Sequence, residues 1–485
     1  MGGGLMADAT GPVELSGARV LVAGLGVSGR AAAQVLRERG AVVTTLDDDA
    51  PDADLRDAAD VDLAGLDLVV TSPGWAPDHP VLAAAVRRGV PVWSEVELAW
   101  QVRVDRAAGG GPAPWLVVTG TNGKTTTVSM LASVLAAAGL DAPAVGNVGT
   151  PVVQAATDPT HDVLAVELSS FQLHFTHTMA ARAAAVLNVA EDHLDWHGSF
   201  EQYAAAKARI YERVEVACVY GTADPALERM VEQADVADGA RAVGVTLGAP
   251  APGQLGVVDG ILVDRSFHLP FDDPARQRSA AELGTLEDLR HLAGPDGELA
   301  PHVVTNALAA AALARAQGVP ASAVRDGLRA YRAGAHRREV VAVVDGVSYV
   351  DDSKATNAHA ASASLGPAAP GTVVWIAGGL AKGARFEELV AQRADRLRAV
   401  VLIGTDQEPW TEALARHAPG IPVSIVDPAH TGSVMTHAVT QARAQAQPGD
   451  TVLLAPACAS MDQFDSYAHR GDAFAAAVRA LDATG

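Results

Sequence analysis

The stretch from Trp115 to Thr127 reads W-L-V-V-T-G-T-N-G-K-T-T-T. A short apolar run ends in Gly120-Thr121-Asn122-Gly123-Lys124-Thr125-Thr126, and the apolar-periodic segment from Val128 to Ala138 reads as a helix. Strand, glycine-bearing turn and helix start, in that order, build an anion site. The N–H groups of the turn and of the helix N-terminus point at one spot. The glycines let the backbone approach a phosphate, Lys124 adds a point charge, and a threonine hydroxyl reaches Mg2+. The strict phosphate-loop pattern wants a glycine with four residues between it and Gly123, and Val118 stands there. The loop is therefore a shortened one.

Lysine usage sharpens the reading. Of 36 basic residues only four are lysine: Lys124, Lys207, Lys354 and Lys382. Arginine serves elsewhere as the solvated cation. A lysine kept in such a chain marks a place where a compact ammonium, or a deprotonated primary amine, does something a guanidinium cannot.

A length of 485 residues suggests about three domains of ~150 residues. An apolar content of 49% with 19% charged residues is globular, and no uncharged apolar span of membrane length occurs. The start, Met1-Gly-Gly-Gly-Leu-Met6, lacks the basic and apolar regions of a signal peptide, so a cytoplasmic protein is expected. Two cysteines, Cys218 and Cys458, build neither a disulfide framework nor a metal cluster. The net charge of −21 argues against nucleic acid or an anionic membrane as partner.

Upstream, Arg19 to Ala23 reads as a buried strand, followed by Gly24-Leu25-Gly26-Val27-Ser28-Gly29, a helix, and a second strand ending at Asp47. This is a dinucleotide-type glycine fingerprint with an acidic residue about 20 positions on. By itself it does not choose between NAD, FAD and a UDP-sugar. The turn Ser72-Pro73-Gly74 follows a further strand, and the Gly/Pro-rich segment from Ala107 to Pro114 reads as a linker.

Past the phosphate loop, Glu167, Asn188 and His193 fall at or just after strand ends, where ligands gather in an open α/β sheet. Lys207 sits on a helix expected from Phe200 to Arg213. Gln254 to Val263 reads as strand, and Phe271 to Ala300 as a polar loop insertion. A second boundary near Tyr331 to His336 opens a third α/β unit, with a hairpin about Asp345-Gly346 and polar residues again crowding strand ends.

Together, Gly120-Thr-Asn-Gly-Lys-Thr-Thr126, Glu167-Leu-Ser-Ser-Phe-Gln172, Asn188-Val-Ala-Glu-Asp-His193, His336-Arg337, Asp352-Ser-Lys-Ala-Thr-Asn357 and Pro456-Ala-Cys-Ala-Ser460 resemble the Mur ligase family, in order and over nearly the whole chain. The Asp352 segment points within it to a ligase adding D-glutamate. The resemblance implies α/β architecture in three domains, each on a mainly parallel open sheet. These are a Rossmann-like UDP-sugar domain (1–108), a phosphate-loop ATPase domain (112–333) and a Rossmann-like domain for ADP and D-glutamate (334–485). It implies a monomer that uses ATP to phosphorylate the carboxylate of UDP-N-acetylmuramoyl-L-alanine, whose acyl phosphate the D-glutamate amine then attacks. Lys124, Glu167, His193, Lys207 and Lys354 would be catalytic. Two Mg2+ are implied, with Thr125, Glu167, His193 and a carbamylated Lys207 as ligands.

By the same resemblance ATP would lie on Gly120 to Thr126, Asn147, Asn306, Arg337 and Asp352. Uridine diphosphate would lie on Val27, Ser28, Asp47 and Ser72-Pro73-Gly74. D-glutamate would meet Thr356, Lys382, Ser460, Met461 and Tyr467. One departure is Val303, where the family usually has Asn after the histidine matching His302; another is the long 271–300 stretch. Sister ligases, a folylpolyglutamate synthase and a nicotinamide-dependent oxidoreductase are the alternatives. The Gly24 fingerprint disfavours the folate enzyme, and the phosphate loop has no use in the oxidoreductase.

Overall fold

Short buried strands alternate with helices, because each parallel pair needs a crossover that covers a sheet face. A computed structural model describes residues 13–294, 297–430 and 432–482. The chain start around Met1 and Met6 lies outside the described residues. The chain divides into two compact units, one ending at Leu289 and resuming over Pro301–Tyr331, the other formed by Arg290–Ala300 and the chain from Arg332 onward.

The first unit holds two sheets. β1 (Arg19–Ala23), α1 (Val27–Glu38), β2 (Val42–Leu46), β3 (Leu68–Thr71), α2 (Pro80–Arg87), β4 (Val92–Ser94) and α3 (Glu95–Val102) form an all-parallel sheet of order β2-β1-β3-β4. Next come β5 (Trp115–Thr119), α4 (Lys124–Ala137), β6 (Ala144–Gly146), α5 (Val152–Ala156), β7 (Leu164–Glu167), α6 (Ser170–His174) and β8 (Ala183–Val186). They are followed by α7 (Leu194–His197), α8 (Phe200–Ala208), β9 (Ala217–Gly221), α9 (Pro225–Glu232), β10 (Arg241–Val245), β11 (Gln254–Val258), β12 (Ile261–Asp264), β13 (Ala281–Thr285), α10 (Pro301–Ala316) and α11 (Ala321–Ala330). The nine-stranded order is β13-β12-β11-β10-β9-β8-β5-β7-β6, antiparallel only from β11 to β13.

The second unit carries β14 (Glu339–Val344), β15 (Val347–Asp351), α12 (Ala358–Leu365), β16 (Val373–Gly378), α13 (Glu387–Arg393), β17 (Leu397–Ile403), α14 (Glu408–His417), β18 (Val423–Ile425), α15 (Val434–Gln445), β19 (Thr451–Leu454) and α16 (Tyr467–Asp482). Its order is β14-β15-β19-β16-β17-β18, with β14 alone antiparallel. The architecture is thus three open, mainly parallel sheets. No helix among the described residues is long and apolar enough to cross a membrane.

Three expectations need correction. Gln254 to Val263 is a hairpin, β11 and β12, turning at Asp259-Gly260 with positive φ at both residues. The 271–300 stretch is no plain loop, since its residues 281–285 form the edge strand β13 against β12. The helix expected from Phe200 to Arg213 also ends early, at Ala208, and a 3-10 turn carries the chain through Tyr211.

The first two sheets meet through α3. Glu97 there accepts from the N–H groups of His177 and Thr178. Glu95, wholly buried, accepts from the N–H of Val153 at 2.6 Å, while its Oε2 has no hydrogen-bond partner. Burial pushes the Glu95 carboxyl up to about 7. A carboxyl raised on folding contributes stability that is complete below its unfolded pKa and lost as pH rises through the folded one. Glu95→Gln keeps the acceptor and cannot ionise. In urea titrations at pH 8 it is expected to be more stable than the unsubstituted protein by about 3 kcal/mol, the difference closing toward pH 5. Equal stability at pH 8 would refute the assignment.

Candidate active site

β5 lies beside the switch point of its sheet. The chain leaves it for β6 and β7 on one side and returns to β8 on the other, which opens a crevice at the carboxyl end of β5. Gly120 and Gly123 have φ of 156° and 82°, open to glycine and not to side-chain-bearing residues. A Cβ on Gly123 would also stand 2.7 Å from Asn306 Oδ1, so Asn306 on α10 packs directly on the loop.

The loop is held from behind. Asn188 accepts from the N–H of Asn122 at 2.8 Å and donates to the Asn122 carbonyl at 3.0 Å. The Thr121 hydroxyl lies 2.9 Å from Tyr203 Oη and accepts from the N–H of Ala190. Thr125 and Thr126 open α4, half-buried. Lys124 Nζ donates to the carbonyls of Gly120 and Thr121, both at 2.9 Å. Lys207 Nζ donates to the same Gly120 carbonyl at 2.9 Å, from a side chain only 2% exposed. Burial, and then the Lys124 charge, push the Lys207 amine well below the ordinary lysine value.

Glu167 at the end of β7 is 1% exposed. Its Oε1 accepts from Asn147 Nδ2 at 2.9 Å, and its buried Oε2 has no hydrogen-bond partner. A buried carboxylate oxygen left unpaired is costly, and a cation is the ligand that suits it. His193 holds a left-handed backbone at the start of α7, with its ring against Phe171 at 4.7 Å and its Nε2 3.7 Å from Asp192. Among the described residues no three His, Cys, Asp or Glu side chains gather as a metal cage. A bound Mg2+ would thus depend on Glu167, the Thr125 hydroxyl and oxygens from the nucleotide or a modified Lys207.

In the first sheet the glycine fingerprint is packed as its spacing demands. A Cβ on Gly29 would stand 1.8 Å from the Gly24 carbonyl. Ser72 Oγ donates to that carbonyl at 2.7 Å, tying the two turns together. Asp47 accepts from the N–H groups of Leu25, Asp49 and Ala50, which hold its carboxyl below the usual range. Its oxygens brace the turn. Val27 and Ser28 begin α1, with Val27 75% exposed. Beside Pro73 and Gly74 opens a cavity of about 720 Å3 lined by Leu46, Asp48, Arg56, Trp75 and His79, none of them picked out from the sequence.

The second unit brings three strand-end loops together. Leu380 and Ala459 exchange backbone hydrogen bonds, joining the Lys382 loop to the Ser460 loop. Ala457 N donates to the Ala355 carbonyl, joining the latter to the Lys354–Thr356 turn. Arg470, wholly buried, donates to Ser353 Oγ and to the carbonyls of Ser353, Cys458 and Ala459. Burial lowers its guanidinium to about 10, so it stays charged. Lys382 is exposed with φ 50°, Met461 is 72% exposed and Ser460 is buried. His336 Nδ1 pairs with buried Asp351 at 2.7 Å and fixes the turn that carries Arg337. Asp352 accepts from Ser364 Oγ, and burial raises its carboxyl to about 6.

A phosphate loop at a switch point, two lysines on one carbonyl and an unpaired buried carboxylate define an α/β protein that works on a nucleoside triphosphate. Comparison with known proteins narrows the class. Residues 118–261 match the Mur ligase middle domain, and residues 336–458 match the Mur ligase glutamate ligase domain. The chain is 58% identical to the UDP-N-acetylmuramoylalanine–D-glutamate ligase of Streptomyces avermitilis, covering 96% of this chain and 99% of the relative. It is 49% identical to the ligase of the same name from Bifidobacterium longum subsp. infantis, over 96% and 98%. A UDP-N-acetylmuramate–alanine ligase structure from Thermotoga maritima shares the fold at TM-score 0.53 and 16% identity, covering 96% of this chain and 100% of that one. The chain belongs to the Mur ligase family, whose members are ATP-dependent amide-forming ligases.

Tyr203, Asp351 and Arg470 were missed as site residues. The i, i+4 spacing of Tyr203 and Lys207 on one helix face was the available signal for the first. Asn188→Ala removes both bonds to the Asn122 backbone and is expected to raise the Kd for ATP roughly tenfold, measured by calorimetry. An unchanged Kd would contradict its role as the loop clamp.

Proposed function

We propose that the protein joins D-glutamate to UDP-N-acetylmuramoyl-L-alanine with cleavage of ATP to ADP and phosphate. The carrying observation is the convergence of the Lys124 and Lys207 amines on the Gly120 carbonyl beside the unpaired Glu167 oxygen, an arrangement suited to phosphoryl transfer. The choice of amino acid is supported by the names of near-full-length relatives. Residues 1–108 would bind the UDP-sugar, 112–333 ATP, and 334–485 ADP and D-glutamate. A monomer working in the cytoplasm on small molecules completes the reading.

The chemistry runs in two balanced steps. The substrate's alanine carboxylate oxygen attacks the γ-phosphorus, the bond to the ADP oxygen breaks, and an acyl phosphate forms. The D-glutamate amine then attacks that carbonyl carbon, and phosphate leaves from the tetrahedral intermediate with loss of the amine proton. Lys124 and the loop N–H groups would neutralise the transferring phosphoryl group, and by the family resemblance Lys354 would face the phosphates near the reacting carboxylate. Glu167 and Thr125 would hold Mg2+, oriented by His193. When bound, the metal supplies charge neutralisation on the phosphate oxygens.

Lys207 is a buried amine whose charge is opposed by both burial and Lys124. As a neutral amine it adds CO2 with loss of a proton, giving a carbamate that would replace a repelled cation with a metal-binding anion. Thr356, Lys382, Ser460 and Met461 would receive D-glutamate, whose two carboxylates call for cations and hydroxyls. Asn147, Asn306, Arg337 and Asp352 would hold the nucleotide, and the Ser72–Gly74 turn with Val27, Ser28 and Asp47 the uridine diphosphate.

Two experiments test the reading. Phosphate release from ATP with the UDP-linked substrate is expected with D-glutamate and not with L-lysine, diaminopimelate or L-alanine. Release with one of those instead overturns the substrate assignment. Lys207→Ala is expected to lose activity by at least a hundredfold and regain part of it with added short carboxylates. Near-normal turnover without rescue would return Lys207 to a structural role.

A further inference from the structure

Lys354 leaves the end of β15 in a turn and lays its Nζ 3.8 Å from the centroid of the Tyr467 ring. This is well inside the range at which an ammonium is attracted to an aromatic face. Neither partner is loosely hung. The Tyr467 carbonyl accepts from Ser353 Oγ at 2.7 Å, and that hydroxyl accepts in turn from Arg470 Nε at 3.0 Å. Tyr467 is the first residue of α16, whose Phe474 and Val478 are buried in the core of the unit. The Lys354 N–H donates to the His336 carbonyl at 3.2 Å, and the His336 ring lies edge-on to Tyr467 at 6.5 Å. Ring and lysine backbone are therefore fixed to the same frame, and the ring face meets the ammonium at the end of the lysine stem.

We propose that Tyr467 is a positioning residue for Lys354: its ring face, not its hydroxyl, seats the ammonium, and it serves the reaction through that lysine. This rests on the role given above to Lys354, and it departs from the reading of Tyr467 as a D-glutamate contact. An unseated lysine explores many rotamers and must lose them at each turnover. A ring that holds it beforehand raises kcat without adding a bond to the amino acid substrate.

The four lysines make the test direct. Full-length protein grown with lysine labelled with 13C at Cε gives four side-chain signals, and Lys354→Arg assigns the one that disappears. The expected Lys354 signal lies upfield of that of exposed Lys382, as a proton over a ring face must. Tyr467→Leu moves it to the Lys382 position, while Tyr467→Phe keeps it upfield. Unmoved signals from Lys124, Lys207 and Lys382 report an intact fold in each variant. Tyr467→Leu is expected to lower kcat about tenfold, Tyr467→Phe to restore most of that loss, and the KM for D-glutamate to follow neither. A Lys354 signal without upfield shift overturns the seat. So does a Tyr467→Phe variant as impaired as Tyr467→Leu with a raised KM for D-glutamate. Full turnover by Lys354→Ala would instead overturn the role of that lysine in the proposed function, leaving the seat to be decided by the shift.

Discussion

One carbonyl oxygen, that of Gly120, accepts from two lysine side chains. Two amines that close, one of them almost fully buried, cannot both carry charge without cost, and burial together with the Lys124 charge favours the neutral form of Lys207. The surroundings show how that crowding is sustained. Asn188 pins the loop from the β8 end, the Tyr203 hydroxyl meets Thr121, and the Tyr203 ring lies 4.6 Å under Lys207 Nζ. Without that bracing the Gly120 carbonyl would lose its fixed place between the two amines. With it, the Lys124 charge and the loop N–H groups stand ready for an anion before one arrives.

The same economy governs the second unit. Three loops from the ends of β15, β16 and β19 must converge and be held there. Arg470 solves this with one guanidinium that spends its donors on Ser353, Cys458 and Ala459. Its planar fork spans acceptors from two loops at once, which a single ammonium could not do. Gly379 makes room: a Cβ there would stand 2.3 Å from the Ala459 carbonyl and 3.3 Å from Arg470 Nη1. The proposed binding residues sit on the loops, while the geometry is set by a residue on the helix behind them.

The sheets were legible because buried parallel strands are continuous apolar runs ending in glycine turns, as Trp115–Thr119 and Arg19–Ala23 are. The β11–β12 hairpin was not, although Asp259-Gly260 offers the same turn signal that was read at Asp345-Gly346. Alternating apolar residues on both sides of the turn blurred into one strand. β13 was hidden because Ala281–Thr285 is a short edge strand, where little apolar sequence is needed. At the site, residues meeting the phosphate loop were legible by motif. Those acting from behind it were not, since a buried Tyr or Arg reads from sequence as ordinary core or surface until its partners are known.

The scarcity of lysine finds a physical reason in the seats the structure provides. A guanidinium at Lys207 would bring a wider, always-charged group into a slot 2% exposed and already facing Lys124. At Lys124, the ammonium folds onto two carbonyls of its own loop, a small target that a compact donor fits. At Lys354, the ammonium stands over the Tyr467 ring, and a guanidinium would stack there flat with its charge spread away from any phosphate. Lys382 differs. It is exposed, with a left-handed backbone between Ala381 and Gly383, and no buried slot excludes arginine there. A lysine there fits the proposed contact with a D-glutamate carboxylate, for which it offers a compact, strongly hydrated charge without the fixed two-point geometry of arginine.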